Sequence, residues 1–212
     1  MALLLLVRHA LTDTTGRRLT GWTPGVHLSD RGRDQAEVVA RRLAVLKPAA
    51  IYSSPLERCR ETAEPLAKAT GRAIRVLEDL GEVRYGEWTG RSLAQLARTN
   101  LWRSLQHSPS SVRFPGGETL GETQVRAAAA AERITATHPR ATVAVITHAE
   151  IIRLLLAHFA GIHLDLFQRV VVEPASVSAV WAGGGTPRLL RMNDTGTLED
   201  LVRRRPPGRV RG

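Results

Sequence analysis

The chain has one cysteine, Cys59, in 212 residues. No disulfide framework can form within a single chain, which fits a reducing compartment. Lysine is almost as scarce: Lys47 and Lys68 stand alone, and arginine is the default cation. Long hydrophobic runs are missing as well. The opening MALLLLV is cut off by Arg8 and His9, too short for a secretory h-region or a membrane span. These absences predict a soluble, cytoplasmic protein with no membrane partner. The seven histidines contain no HxH or HExxH spacing, so no metal is expected. Gly116–Gly117 is too short a glycine signal to name a nucleotide loop, and no cofactor is expected.

What is present is ordinary in amount and uneven in placement. Apolar residues make up 43% and charged residues 24%, enough for one domain with a full core. The formal charge is +10. Half of that surplus sits in the terminal stretch RRRPPGRVRG (Arg203 to Gly212), which has five arginines and no acid. Rich in Pro and Gly and without an apolar face, residues 199–212 read as a disordered arginine-rich tail behind a domain of residues 1–198. No basic stripe interleaved with aromatics is present, which argues against a specific nucleic-acid partner.

The pattern along the chain alternates strand and helix. Ala2 to Val7 is a continuous apolar run, as in a strand buried on both faces. Residues 29–46 predict a helix capped by Ser29 or Asp30, with Ala36, Val39, Ala40 and Leu43 at helical spacing. Ala49 to Ser54 is a short strand, and Pro55 suits the first turn of a helix that Gly71 stops. AIRVL (Ala73 to Leu77) predicts a short edge strand. Residues 92–106 and 118–137 read as helices. Thr142 to Thr147 is a strong strand followed by a helix ending at Gly161. FQRVVVE (Phe167 to Glu173), SVSAVWAG (Ser176 to Gly183) and PRLLRMN (Pro187 to Asn193) read as strands. This order predicts an α/β fold, a mostly parallel sheet covered by helices on both sides. Such sheets bind ligands beyond the carboxyl ends of their strands. Arg8–His9, Ser53–Ser54 and Thr147–His148 all lie at such ends, so one crevice can collect them.

Five segments carry a resemblance: LVRHALTDT near the start, SSPLERCRETA at Ser53, LGEVRYGEWTG at Leu80, PGGET at Pro115 and VITHAEIIR at Val145. In this order and spacing, over residues 3–190, the chain resembles the histidine phosphatase superfamily, which includes the phosphoglycerate mutases. The resemblance implies a three-layer α/β/α sandwich of the phosphoglycerate mutase-like kind. It also implies a phosphohistidine mechanism. His9 matches the nucleophile, Arg8 and Arg58 the phosphate clamps, His148 the second histidine, and Glu82 the acid that protonates the leaving oxygen. Arginine suits such a clamp because its planar fork donates in parallel to two oxygens. A carboxyl in Glu82's role must be kept protonated. Glu78, Asp79 and Glu87 compete with Glu82, and Arg60 with Arg58. Cys59 reads as a small core residue. Gly116–Gly117 precedes a helix that the family places near its substrate.

The chain departs from the family opening Arg-His-Gly-Glu-Thr with its later Asn. Ala10 and Leu11 follow His9, Thr12 keeps its place, and Thr15 stands at the Asn position. Ala10 has a Cβ, so its backbone must avoid the conformation only glycine accepts. Ala149 and Glu150 stand where two glycines are common. Thr12, Thr15, Gly21, Trp22 and Ala149 are the expected substrate-binding residues, and Gly21–Trp22, residues 92–115 and Glu150 the expected sources of specificity. Trp22 and Trp102 either line the pocket or fill core. Glu150 so near the phosphate site should repel very anionic substrates, which favours a neutral, hydroxylated or partly apolar leaving group. Residues 83–115 leave little room for the segment with which a mutase excludes water. The expected activity is therefore a phosphatase acting on a small phosphorylated metabolite. A phosphomutase and a non-catalytic phospholigand-binding protein are the alternatives. The sheet edge near the C-terminus could pair in a homodimer.

Overall fold

A computed structural model describes residues 1–202. Its centre is one six-stranded sheet: β1 (Ala2–Arg8), β2 (Ala50–Ser53), β3 (Ile74–Val76), β4 (Thr142–Thr147), β5 (Val177–Ala182) and β6 (Arg188–Asp194), in the order β3-β2-β4-β1-β5-β6. Strands β3, β2, β4 and β1 run parallel, while β5 is antiparallel to both β1 and β6. The expected edge strand is at the edge. Leu3, Leu5 and Val7 of β1 face one core, Leu4 and Leu6 the other. That two-sided burial is why β1 reads as an unbroken apolar run.

Helices cover both faces. On one side lie α1 (Asp30–Ala44) and α2 (Glu57–Thr70). Ser29 caps α1 by accepting from the Gly32 amide. A Cβ on Gly32 would lie 2.0 Å from the Leu11 carbonyl oxygen, so this glycine lets α1 touch the loop after His9. The second helix starts at Glu57 rather than at Pro55, because Leu56 remains extended as its N-cap. Gly71 ends it in the left-handed conformation expected of a C-cap.

The 92–106 segment is not one helix. It forms α3 (Leu93–Leu96) and α4 (Asn100–His107). The break falls at Thr99, whose hydroxyl accepts from the Trp102 amide and also approaches the Leu96 carbonyl. Such local side-chain bonding competes with helix continuation. On the second face lie α5 (Leu120–Thr137) and α6 (Ala149–Ala160). Thr119 and Glu122 form a capping box at the start of α5.

Two expectations near the C-terminus need correction. FQRVVVE is not a strand: Leu164–Arg169 is a 3-10 helix, and the valines after it join no ladder. Their carbonyls serve arginines instead, Val170 accepting from Arg153 and Val172 from Arg8. The tail does not begin at 199. Glu199–Val202 forms the short helix α7, and Leu201 is buried in the α1/α2 core because it is apolar and within reach. The rest of the expected disordered tail, 203–212, lies outside the described residues.

Candidate active site

Adjacent strands β2, β4 and β1 end at one level. Arg8 is in register with Thr147 and Ser53 with Ile146. Pairing continues one residue further: the His9 amide donates to Thr147 and the Ser54 amide to Ile146. His9, Ser54 and His148 therefore emerge side by side. The His9 and His148 rings are 5.3 Å apart between centroids.

His9 is 7% exposed. Its Nδ1 is 2.8 Å from the Ala10 carbonyl oxygen, which can only accept, so Nδ1 carries the proton and Nε2 the lone pair. Burial, then the charges of Arg58 and Arg8, hold its pKa well below the ordinary histidine value. The ring is neutral and nucleophilic at neutral pH. Ala10 does not occupy the left-handed region, so its Cβ is accommodated.

His148 is fully buried, and burial followed by Arg58 keeps it neutral too. Its Nε2 is 2.8 Å from Ser54 Oγ, while Nδ1 faces Arg58 Nη2 at 3.3 Å and Glu82 Oε2 at 3.7 Å. A hydroxyl both donates and accepts, so Ser54 supports either tautomer of His148.

Arg58 rises from the first turn of α2 and is 2% exposed. Its Nη2 donates to the Gly21 carbonyl, and Arg8 Nη1 donates to Val172. Arg58 Nη1 and Arg8 Nε are buried without a protein partner. Buried guanidinium N–H groups are costly to leave unpaired, and the two arginines that carry them line one pocket with His9, while His148 stays fully buried behind Arg58. That donor set fits a tetrahedral oxyanion. Arg60, the rival, is exposed.

Glu82 follows the 3-10 turn Glu78–Leu80 and is 9% exposed. Oε1 accepts from the Val83 amide. Burial first, then the Glu150 charge, raises its carboxyl to about 7 against the pull of Arg58. The rivals point elsewhere: Glu78 pairs with Arg84, Asp79 pairs with Arg133, and Glu87 does not line the pocket. Cys59 is fully buried against His148, and burial pushes its thiol up to about 12, so it stays protonated.

The pocket holds about 470 Å³. Thr12, Thr15, Gly21 and Ala149 line it, with the Thr12 and Thr15 hydroxyls 2.9 Å apart. Trp22 does not line it. Its indole is drawn behind the wall, donating at 2.6 Å to the Glu82 carbonyl, with the Arg84 guanidinium 4.3 Å over the ring. The far end is built by Trp102, Leu105, Phe114 and Phe167, with the Gln106 and Gln168 amides and the Glu150–Arg153 ion pair at 2.8 Å. Sequence reasoning placed Ser54 in the crevice without a task and missed Arg153. The hydroxyl at a strand end and the Glu-x-x-Arg spacing after His148 were the available signals.

The model of the histidine phosphatase superfamily (branch 1) matches residues 4–195. The chain belongs to that superfamily. Phosphoserine phosphatase 1 of Hydrogenobacter thermophilus is 29% identical over 92% of this chain and 93% of its own length. The structure of Bacillus stearothermophilus YhfR aligns with TM-score 0.86 at 28% identity, covering 92% of this chain and 98% of that one. Mycobacterial glucosyl-3-phosphoglycerate phosphatase, solved with VO3, aligns with TM-score 0.83 at 26% identity over 91% and 99%. Several mycobacterial proteins match at 31% identity, and the chain spans 54% of their length. The fold is that of the phosphoglycerate mutase-like phosphatases, and the chain is a phosphoric monoester hydrolase. Among the described residues no helix is long and apolar enough to cross a membrane.

Proposed function

We propose that the enzyme hydrolyses a small phosphomonoester through a phosphohistidine on His9. The observation that carries this is the His9 tautomer: the Ala10 carbonyl fixes the Nδ1 proton and leaves the Nε2 lone pair free, in a pocket lined by the two arginines with unpaired donors. Nε2 attacks phosphorus, the ester P–O bond breaks, and its electron pair goes to the leaving oxygen, which takes a proton from Glu82. Arg8, Arg58 and His148 bind the equatorial oxygens, where charge must be neutralised. With Nδ1 protonated, His148 donates to the phosphoryl group while Ser54 donates into Nε2. Water then attacks phosphorus, gives its proton to the Glu82 carboxylate, and the N–P bond breaks with its pair returning to Nε2.

The far end of the pocket supports a leaving group with apolar bulk and neutral polar edges. Four apolar side chains and two amides face it, and the Glu150 carboxylate there, partly neutralised by its ion pair with Arg153, gives a second phosphate no net positive partner. The relatives named for phosphoserine and glucosyl-3-phosphoglycerate support monoester hydrolysis, and the short stretch 83–115 leaves little room for the added segment of a mutase. The substrate would be a soluble metabolite, and the single cysteine supports work in the reducing cytoplasm. Rapid acid quench with a 32P-labelled monoester should leave acid-labile label on the wild-type chain and none on His9→Ala; label on neither would refute the mechanism.

A further inference from the structure

The PGGET motif (Pro115–Thr119) contributes no side chain to the pocket wall. The Glu118 carboxylate instead lies between two guanidiniums, Arg84 at 3.2 Å and Arg126 at 3.0 Å, and accepts from the Thr123 hydroxyl. Arg126, on α5, reaches from there into the loop that carries Glu82. Its Nη1 donates to the Asp79 and Gly81 carbonyls at 2.8 and 2.9 Å, and its Nη2 to the Glu82 carbonyl at 2.9 Å. Thr147, next to His148, donates to the remaining carbonyl, Leu80, at 2.6 Å. Trp22 adds a second donor to Glu82. Four consecutive carbonyls of an irregular segment are thus held by side chains rather than by a ladder. A guanidinium has the parallel donors for this, and an ammonium does not.

We propose that Arg126, anchored by Glu118, is a positioning residue for the acid: it fixes the 79–82 backbone so that the Glu82 carboxyl meets the leaving oxygen. The inference rests on Glu82 being that acid. Proton delivery matters in proportion to how poor the leaving group is. Losing the clamp should therefore penalise alkyl esters and spare activated aryl esters, whereas general loosening of the fold would penalise both.

The test compares 2-phenylethyl phosphate with p-nitrophenyl phosphate, similar in bulk and different in leaving-group basicity. The readout is kcat/KM, which reports only the steps up to phosphorylation of His9, with vanadate inhibition as the check that the anion site is intact. Arg126→Gln should lose about 100-fold on the alkyl ester and less than about fivefold on the aryl ester, with vanadate inhibition unchanged. Glu118→Gln, which keeps the guanidinium but unmoors it, should shift the ratio in the same direction by about tenfold. Equal losses on both esters, or no loss on the alkyl ester, would overturn the proposal. Should Arg126→Gln fail the vanadate check, Glu118→Gln decides alone. Glu82→Gln run in parallel separates the two readings: if it shows no alkyl-selective loss the acid assignment fails, and if it does while the clamp variants do not, only the positioning role fails.

Discussion

The two ends of the pocket are built on different principles. At the phosphate end, Arg8, His9, Ser54 and His148 each sit at or one residue beyond the end of a neighbouring parallel strand, and Arg58 stands in the first turn of the next helix. Backbone hydrogen bonds fix their relative heights. At the leaving-group end, the short helix α4 and the 3-10 turn Leu164–Arg169 bring Trp102, Leu105 and Phe167 onto Phe114, held together by side-chain packing in a separate core cluster. The first end is set by register, which tolerates no variation without breaking a ladder. The second is set by side-chain shape, which can change while the sheet stays as it is.

Breaking the first end should have the largest effect. His9→Ala should lower turnover at least about 10⁴-fold, since removing a covalent nucleophile removes the whole pathway rather than one contribution; steady-state phosphate release measures it. Next comes the acid. Glu82→Gln should cost about 10²- to 10³-fold on alkyl phosphates. Wild-type kcat/KM should fall as pH rises through about 7, because the raised carboxyl delivers a proton only while protonated. That limb should disappear in the variant. The same shift has a sign for stability. A carboxyl whose folded pKa is raised above its unfolded value binds protons more tightly when folded, so it loses stability as pH rises from about 4.5 towards 7. Glu82→Gln should therefore gain in Tm relative to wild type at pH 8 more than at pH 5. A melting series showing no such divergence would contradict the burial argument.

The leaving-group end should respond more weakly and more selectively. Trp102→Ala should lower kcat/KM for 2-phenylethyl phosphate about tenfold while methyl phosphate changes less than about twofold, since only apolar contact is lost. The smallest effect is expected at the charge between the two ends. Glu150→Gln should improve kcat/KM for bisphosphates by a few-fold, about what removing one partly screened like charge is worth. A uniform drop across all substrates in either variant would erase the distinction between the ends.

How far each end was legible follows from the same difference. His9, His148 and Ser54 could be placed in one crevice because a buried parallel strand announces itself as an apolar run, and its polar ending marks the crevice side. The Glu82 loop was assigned through resemblance, since nothing in its own spacing separates Glu82 from Glu78 or Asp79; burial in the structure does. The 92–106 helix was misjudged because periodicity does not register a threonine that caps the next turn. FQRVVVE has strand composition, yet its carbonyls are taken by Arg8 and Arg153, which no local pattern reveals. Trp22 looked like a pocket aromatic and turned out to brace the loop behind it. Arg126, one arginine among many, had no local signal.

The order of apolar and polar residues was enough to determine the alternating architecture, the two-sided burial of the sheet, and which strands end in histidine and arginine. Those are local or periodic properties, written within a few consecutive residues. Only tertiary structure decided which carboxyl is buried, which N–H groups lack a partner, and which distant side chains hold the 79–82 carbonyls. Desolvation and hydrogen-bond satisfaction depend on neighbours that are remote along the chain and close only after folding.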